Sequence, residues 1–379
     1  MDNTALHIPD VSIIIPMYNA EAYIAQALRS VLQETEVNLE VIVVNDRSTD
    51  QSLQILSTVR DHRVRLVNGA KAGIATTMNL GLAAARGRVM MRCDADDLFP
   101  RGRIAAQLAW LDENPDYGAV CGSYDIIAPN GSFVLKHDTG NTAEEITEEL
   151  TCGLTRTHLC TFAIRTDVLR QLGGYRPYFE TGEDIDLQLR LGEVCRVFYQ
   201  AASDYSYRLH NDSITHVIPS EKRVFFDRIA RTFQNERQLD GRDRLQQGIF
   251  PAIPTGSGSK AYSSNEQIQG FLQGRAWQEY ERGNPKAALQ MAMRSLSANP
   301  GHWPTWQNMG VLLTKMVLKR RSPSDSIALS STADSPTADP VAPELGQPEL
   351  RPTRATAVDA DTASNSASSE QSANASINR

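Results

Sequence analysis

The first hundred residues alternate short apolar runs with amphipathic stretches, and this order constrains the fold more than any other feature of the chain. The runs have the length and the β-branched content of buried strands: VSIII (11–15), LEVIVV (39–44), VRLV (64–67) and RVMMRC (88–93). The stretches between them have the periodicity of helices: residues 20–33, 49–60 and 73–87. Successive βα units of this kind predict an α/β domain with a mostly parallel sheet flanked by helices.

Polar residues follow three of the four predicted strands. The first strand is followed by Pro16–Asn19, the second by Asn45–Asp50 and the fourth by Asp94–Asp97. In parallel sheets, ligands bind beyond the carboxyl ends of the strands, where loops and helix N-termini converge. The sequence therefore predicts a ligand site at this edge of the sheet.

The stretch CDADD ends the fourth run with three aspartates in four positions. Carboxylates at Asp94 and Asp96 repel each other unless a cation lies between them, and hard divalent ions prefer oxygen-rich sites of this type. The other two clusters have simpler explanations. Residues 48–50 are also good helix N-caps, and Tyr18 also fits an aromatic lid on the edge of the sheet.

Several motifs in the same order resemble glycosyltransferase family 2, the inverting enzymes with the GT-A fold. The resemblance covers about residues 10 to 215, and motifs in series are more specific than any single one. The stretches that carry it are VSIIIPMYNAEAYIAQALRSVL, LEVIVVNDRSTD, GRVMMRCDADDLFPRGRI, LGGYRPYFETGEDIDLQLRLG and YSYRLHNDSIT. It implies a Rossmann-like nucleotide-diphospho-sugar transferase domain.

The resemblance also implies roles for individual residues at the donor. Asp46 would hold the base of a nucleotide-sugar, and Tyr18, near Pro16, would line or stack on that base. Asp94 would reach the ribose and the metal region, while Asp96 would bind the metal on the diphosphate. That metal would be Mn²⁺ or Mg²⁺, which neutralises negative charge on the departing phosphate.

The remaining chemical roles concern two later motifs. Asp184 matches the catalytic base of the family, which takes a proton from the acceptor hydroxyl. The simpler explanation of Glu183, Asp184 and Asp186 is that acids in a first helical turn complement the helix dipole. His210 either completes the metal shell, with Asp94 and Asp96, or donates a hydrogen bond to a phosphate or a loop carbonyl.

Two positions depart from the family pattern. Arg47 replaces a common glycine, and Met78 precedes Asn79 where arginine is frequent. We expect both to lie in loops that face the donor, which leaves the nucleotide and the sugar open, with a UDP-sugar favoured. The Q-x-x-R-W motif of processive synthases is absent from the sequence, which favours transfer of one sugar per encounter to a carbohydrate or lipid-linked acceptor.

Composition divides the chain into five predicted parts. They are an N-terminal extension (1–10), the GT-A domain (11–250), a linker (251–267), a helical segment resembling a tetratricopeptide repeat (268–320) and a disordered tail (321–379). Fewer than three repeats are marginally stable alone, so the helical segment is expected to dock on the catalytic domain or on a protein partner. A catalytically silent GT-A protein that acts through these helices is the alternative function.

Charge and cysteine content limit the cellular setting. The formal net charge is −7, and the residues from Arg321 onward hold eight acids and four arginines, so nucleic acid is not an expected partner. Five scattered cysteines fit a reducing compartment, and we expect a cytoplasmic protein with no signal segment or membrane span. The basic stretch KMVLKRR near residue 320 fits either peripheral contact with an anionic membrane or charges that complement a helix dipole.

Overall fold

The structure is a computed structural model that describes residues 8–211, 220–255 and 263–321. The predicted tail lies outside these residues apart from Arg321, and so do residues 1–7 of the predicted extension and residues 256–262 of the predicted linker. The strands are β1 Val11–Met17, β2 Leu39–Asn45, β3 Val64–Asn68, β4 Val89–Arg92, β5 Tyr117–Ile127, β6 Phe133–Lys136, β7 Glu144–Glu145, β8 Ala163–Arg165 and β9 Arg196–Arg208.

The helices of the described residues alternate with β1 to β5, and further helices lie before and after β9. They are α1 Ile24–Leu32, α2 Ser52–Ser57, α3 Ile74–Ala84, α4 Arg103–Glu113, α5 Thr147–Thr151, α6 Thr166–Gln171, α7 Glu183–Val194, α8 Ser220–Asp240, α9 Ser264–Glu281, α10 Pro285–Ala298 and α11 Trp303–Arg321. The predicted strands and helices of the first hundred residues are confirmed.

One mixed sheet runs through the domain in the order β3-β2-β1-β4-β8-β5-β9-β7, and β6 pairs with β5. The four strands of the βα units are parallel, with β1 between β2 and β4. The short strand β8 then runs antiparallel to both β4 and β5, while β5 and β9 are parallel. The mostly parallel half is therefore continued by a second half that the hydrophobic pattern did not predict.

Alternate residues of the central strands face two apolar layers, because successive side chains of a strand point to opposite faces. Ile13 and Val43 pack with α1 and α4 on one face. Ile14 and Ile42 pack with α3, α6 and α7 on the other. Both faces of the sheet are thus covered, which leaves the strand ends as the place where polar groups collect.

Helix α8 packs on α7 through an aromatic face. Phe226, Ile229 and Phe233 are buried against Phe179 and Leu189. The spacing of Phe225, Ile229 and Phe233 in the sequence predicts an apolar face that packs on the catalytic domain. The helix does pack there, but Phe226 is the fully buried neighbour and Phe225 only borders the cluster.

The last three helices form a layer in which α9, bordered by α10, docks on the second half of the sheet, while α11 packs on α9 and α10. Ile268 and Leu272 of α9 pack against Ile126, Leu135 and Leu209. The prediction that this segment docks is thereby confirmed for the catalytic domain. Within the described residues, no helix is both long and apolar enough to cross a bilayer.

The first of these helices begins earlier than predicted. Ser263 and Glu266 form a reciprocal capping box, so α9 begins at Ser264, inside the stretch assigned to the linker. Ala276 and Ala288 are buried at the small-residue positions of the predicted repeat. Gly283, at φ +80°, permits the tight turn between α9 and α10.

Candidate active site

The loops after β1 and β2 are tied together by side-chain hydrogen bonds to backbone amides. Asn19 Oδ1 accepts from the Thr49 amide at 2.8 Å, and Ser48 Oγ accepts from the Asn19 amide at 3.1 Å. Asp50 accepts from the Glu21 amide at 2.9 Å. The N-cap explanation holds in part, because Asp50 Oδ1 accepts from the amide of Ser52, the first residue of α2, at 3.0 Å, although the N-cap residue itself is Gln51. The same residues also hold the two loops together.

Asp46 lies at the end of β2, where the loop before α3 closes over it. Its carboxylate accepts from the amides of Ala72 at 3.2 Å and Gly73 at 3.3 Å. A Cβ at Gly69 would lie 2.9 Å from Asp46 Oδ1, so this approach requires glycine. Tyr18 is 49% exposed, and Lys71 of the same loop lies 5.7 Å from its ring centroid. The Asp46 carboxylate and the half-exposed Tyr18 ring therefore both border the loop that precedes α3.

Of three positions expected to face the donor, two differ from expectation and one agrees with it. Pro16 lies within β1 and is buried, so it does not present a face to the loop as predicted. Met78 is fully buried in α3 and packs in the core rather than in a loop facing the donor, because α3 begins four residues before it. Arg47 does lie in the loop after β2, with φ +62°, a conformation that glycine adopts without strain.

Asp94 follows β4 and is held by an arginine two residues before it. Arg92 Nε and Nη2 donate to its two carboxylate oxygens at 2.6 and 3.1 Å, and the Asp94 amide donates to Tyr205 Oη at 3.0 Å. Burial opposes ionisation of Asp94, but the Arg92 guanidinium outweighs it and lowers the pKa of this carboxyl. The inference that the crowded aspartates need a divalent cation is therefore wrong for Asp94, since Arg92 supplies the positive charge.

Asp96 and His210 form the next pair along this edge. His210 Nε2 lies 2.7 Å from Asp96 Oδ2, and the Asp96 side chain is 29% exposed. The His210 ring packs against Tyr23 with centroids 4.8 Å apart. Arg208 Nε donates to the Asp96 carbonyl at 2.6 Å, which fixes the backbone of the motif.

Asp97 differs from Asp94 and Asp96, the other two aspartates of the motif. It is fully buried, and its Oδ1 accepts from the Arg208 amide at 2.7 Å. Burial, followed by the charges of Asp96 and Asp94, raises the pKa of Asp97 well above the usual value. The exposed carboxylate of the motif is therefore that of Asp96, whereas Asp97 is buried and binds the backbone of β9.

The donor set at Asp96 fits a divalent cation only in part. Among the residues that the structure describes, no three histidine, cysteine, aspartate or glutamate side chains converge on one point. One carboxylate is nevertheless enough for a Mg²⁺ or Mn²⁺ ion when a diphosphate and water supply its other ligands, and a neutral imidazole is a reasonable further ligand for Mn²⁺. Asp94 is engaged by Arg92, so Asp96 and His210 are the better-placed pair.

Helix α7 brings a second group of acids to this edge. It begins at Glu183, directly after Gly182 at φ +73°. Glu183 Oε1 accepts from Arg92 Nη1 at 3.0 Å, and burial together with the charge of Asp184 raises the pKa of Glu183 to about 7. Asp184 is half-buried and makes no hydrogen bond or ion pair to any residue within the described ranges. Its carboxylate is open.

Asp186, two residues further on in the same turn, has a different environment. It is completely buried, and Arg176 and Arg190 both donate to its carboxylate. Arg176 also donates to Asp243, which in turn accepts from Arg237. The dipole explanation thus does not fit Asp186, because arginines rather than the helix end compensate its charge.

Comparison with known proteins agrees with this geometry. The family model described as Glycosyl transferase family 2 matches residues 12–173. An uncharacterized glycosyltransferase of Haemophilus influenzae is 30% identical over 239 residues, which are 59% of this chain and 72% of that protein. The chain belongs to glycosyltransferase family 2.

Other family 2 relatives are much longer than the region that matches. The hyaluronan synthase of Pasteurella multocida is 29% identical over 259 residues, and the chondroitin synthase of the same species is 27% identical over 261 residues. Each match covers 66% of this chain but only 26% and 27% of those proteins, so the chain spans about a quarter of their length.

A solved structure shares the fold. The crystal structure of S. aureus TarS residues 1–349 in complex with UDP-GlcNAc superposes with a TM-score of 0.50. It covers 76% of this chain and 81% of that one at 17% identity. The mixed sheet with flanking helices is thus the GT-A-like fold that the sequence predicted.

Sequence analysis of this family 2 chain missed three residues of the site. Arg92 joins Asp94 to Glu183, Tyr205 holds the Asp94 amide, and Arg208 holds the backbone of the motif. An arginine in a predicted buried strand was the one available signal, since a buried guanidinium requires acidic partners. The predicted donor residues Tyr18, Asp46, Asp94 and Asp96 all lie at the carboxyl edge of β1, β2 and β4, which we call the donor edge.

Proposed function

We propose that this chain is a metal-dependent inverting glycosyltransferase that moves a sugar from a UDP-sugar to a hydroxyl acceptor. The observation that carries the proposal is the open carboxylate of Asp184 beside the donor edge. Asp184 follows Glu183, and Glu183 shares Arg92 with Asp94, so an uncompensated base adjoins the acids assigned to the donor. An acid in the first helical turn also complements the helix dipole, so it is the neighbouring donor acids that favour the role of base for Asp184.

The comparisons favour the donor class. TarS was solved with UDP-GlcNAc, and two of the relatives are named as synthases of hyaluronan and chondroitin. A uridine nucleotide fits the donor edge, where Asp46 would hold the base and the exposed ring of Tyr18 would stack on it. The acceptor is then a growing glycan or a lipid-linked sugar.

The chemistry requires a leaving group and a base on opposite sides of the anomeric carbon. A Mn²⁺ or Mg²⁺ ion on Asp96 and His210 would neutralise the charge of the diphosphate as it departs. Asp94, held by Arg92, would orient the ribose. Asp184 would take the proton of the acceptor hydroxyl, and a single in-line displacement would invert the anomeric centre.

The metal assignment is tested by replacing Asp96. Wild-type protein should turn over one member of a panel of UDP- and GDP-sugars when Mn²⁺ or Mg²⁺ is present and lose that turnover with EDTA. Asp96→Ala should reduce metal-dependent turnover by about 100-fold, because charge stabilisation of the leaving group is lost. It should also weaken UDP binding in a calorimetric titration with Mn²⁺.

Asp116→Ala is the matched control, since this aspartate is exposed at the turn before β5. It should leave both turnover and UDP affinity unchanged. Equal UDP affinity of Asp96→Ala and wild type in Mn²⁺ would contradict the metal role of Asp96.

The setting of the reaction follows from the helices beyond the catalytic domain. Trp303 and Trp306 of α11 are exposed, and they offer an apolar surface to a protein partner or to a membrane that carries a lipid-linked acceptor. Cytoplasmic location and peripheral membrane contact remain predictions of the sequence. A silent protein that acts only through these helices is disfavoured by the open Asp184.

A further inference from the structure

We propose that Arg92 is a positioning residue that sets the base-bearing turn of α7 relative to the donor edge. This inference rests on the proposed function. Arg92 ends β4, and its side chain is only 8% exposed. Three of its nitrogens donate to acids on two different elements, and the more distant acid, Glu183, lies 91 residues further along the chain. Nε and Nη2 bind Asp94, and Nη1 binds Glu183.

The two acids depend on Arg92 to different degrees. Asp94 has further contacts, since its amide donates to Tyr205 Oη and Cys160 Sγ lies 3.5 Å from its Oδ2. Apart from a hydrogen bond to its own backbone amide, the Glu183 side chain has no hydrogen bond or ion pair other than the one to Arg92 within the described ranges. The first turn of α7 is therefore joined to the donor edge through one guanidinium group.

The rest of α7 is anchored independently of that turn. Leu187 and Leu191 are buried in the apolar layer, and Asp186 is held by Arg176 and Arg190. Loss of Arg92 should therefore leave the helix in place and release only Glu183 and the adjoining Asp184. We expect a defect in the chemical step rather than a loss of the fold.

The geometry also explains why arginine is needed. A planar guanidinium donates to two carboxylates at once, whereas an ammonium is a point charge that cannot reproduce the fork. Arg92→Lys keeps the charge at this position and removes the bridge. It therefore separates charge compensation from positioning.

The test is a double-mutant cycle on turnover with Arg92→Lys and Glu183→Ala. Each single variant should lower kcat about tenfold, while the KM for the donor changes less. If Arg92 acts through Glu183, the double variant should also be about tenfold slower than wild type, because the second change removes nothing further. Additive losses, near 100-fold in the double variant, would overturn the proposal.

The control is Arg165→Lys, which should keep wild-type kcat. Arg165 lies beside Val89 at the opposite end of β4 and donates to backbone carbonyls. Thermal unfolding of each variant separates loss of folding from loss of positioning. If Arg92→Lys is unfolded at the assay temperature, the kcat of Glu183→Ala tests the proposal by itself. A wild-type kcat in Glu183→Ala would then overturn the proposal.

The outcome for the function is distinct from the outcome for Arg92. A wild-type protein that is inactive with every donor and metal would remove the proposed function and, with it, this inference. If the wild-type protein is active and the losses in the double-mutant cycle are additive, the proposed function would be retained and only the role of Arg92 would be rejected.

Discussion

Two groups of acids are compensated in different ways. In the group formed by Asp186, Asp243 and Glu193, which we call the buried network, every carboxylate is bound by one or two arginines. Of the acids to which we assign the metal and the base, Asp96 is paired only with His210, and Asp184 makes no ion pair with any described residue. Asp94 of the donor edge is paired with Arg92. Compensation by arginine is therefore complete in the buried network and partial at and beside the donor edge.

The comparison is sharpest within the first turn of α7. Asp184 and Asp186 are separated by one residue, yet the first is half-buried and open while the second is completely buried between Arg176 and Arg190. A buried charge must be paired, whereas a catalytic base must keep a carboxylate that a substrate hydroxyl can reach. The difference teaches that the partners of an acid, rather than its position in a motif, distinguish the two roles.

The largest predicted effect on stability tests the buried network. Asp186→Asn should lower the free energy of unfolding by about 3–5 kcal/mol, because it leaves buried arginine charge without its partner. Asp184→Asn should change it by less than about 0.5 kcal/mol. Urea unfolding of both variants measures the difference, and equal losses would break the comparison.

A smaller effect concerns the pH dependence of stability at Glu183. Burial and the charge of Asp184 raise the pKa of Glu183 from 4.5 to about 7. Between these values the folded state binds more protons than the unfolded state, so the free energy of unfolding should fall as pH rises from about 4.5 to 7. Above about pH 7 the free energy of unfolding should fall no further on account of Glu183.

Glu183→Gln should remove this dependence. Relative to wild type it should gain stability on the order of 1–3 kcal/mol between pH 4.5 and 8, as a pKa shift of this size implies. Glu113→Gln, an exposed change on α4, is the control and should follow the wild-type curve. A Glu183→Gln curve parallel to wild type at every pH would show that Glu183 is not shifted.

The sequence predicted the first half of the fold because its signal is local. The strands β1 to β4 are apolar runs that are each followed by a helix, and they form as expected. In the second half, β8 has three residues and β7 has two, too few to show a period, and the longer strands β5 and β9 were not predicted either. Their places in the sheet depend on pairing with distant strands.

The site was predicted in its residues but not in its charge balance. The resemblance identified Asp96 and His210, which the fold brings to 2.7 Å although they are 114 residues apart. Arg92 was missed because its partner Glu183 is distant in sequence, and Pro16 and Met78 were assigned to the donor although they are buried. Contacts between distant segments of the chain determine the partners and the burial of these residues, and no short stretch of sequence shows those contacts.

The most direct test of the account is the turnover of Asp184→Asn compared with its affinity for UDP. The isosteric change removes the base and keeps the donor edge, so kcat should fall by about 10²- to 10⁴-fold. UDP affinity in Mn²⁺ should stay at the wild-type value. Wild-type turnover in Asp184→Asn would show that this open carboxylate is not the catalytic base.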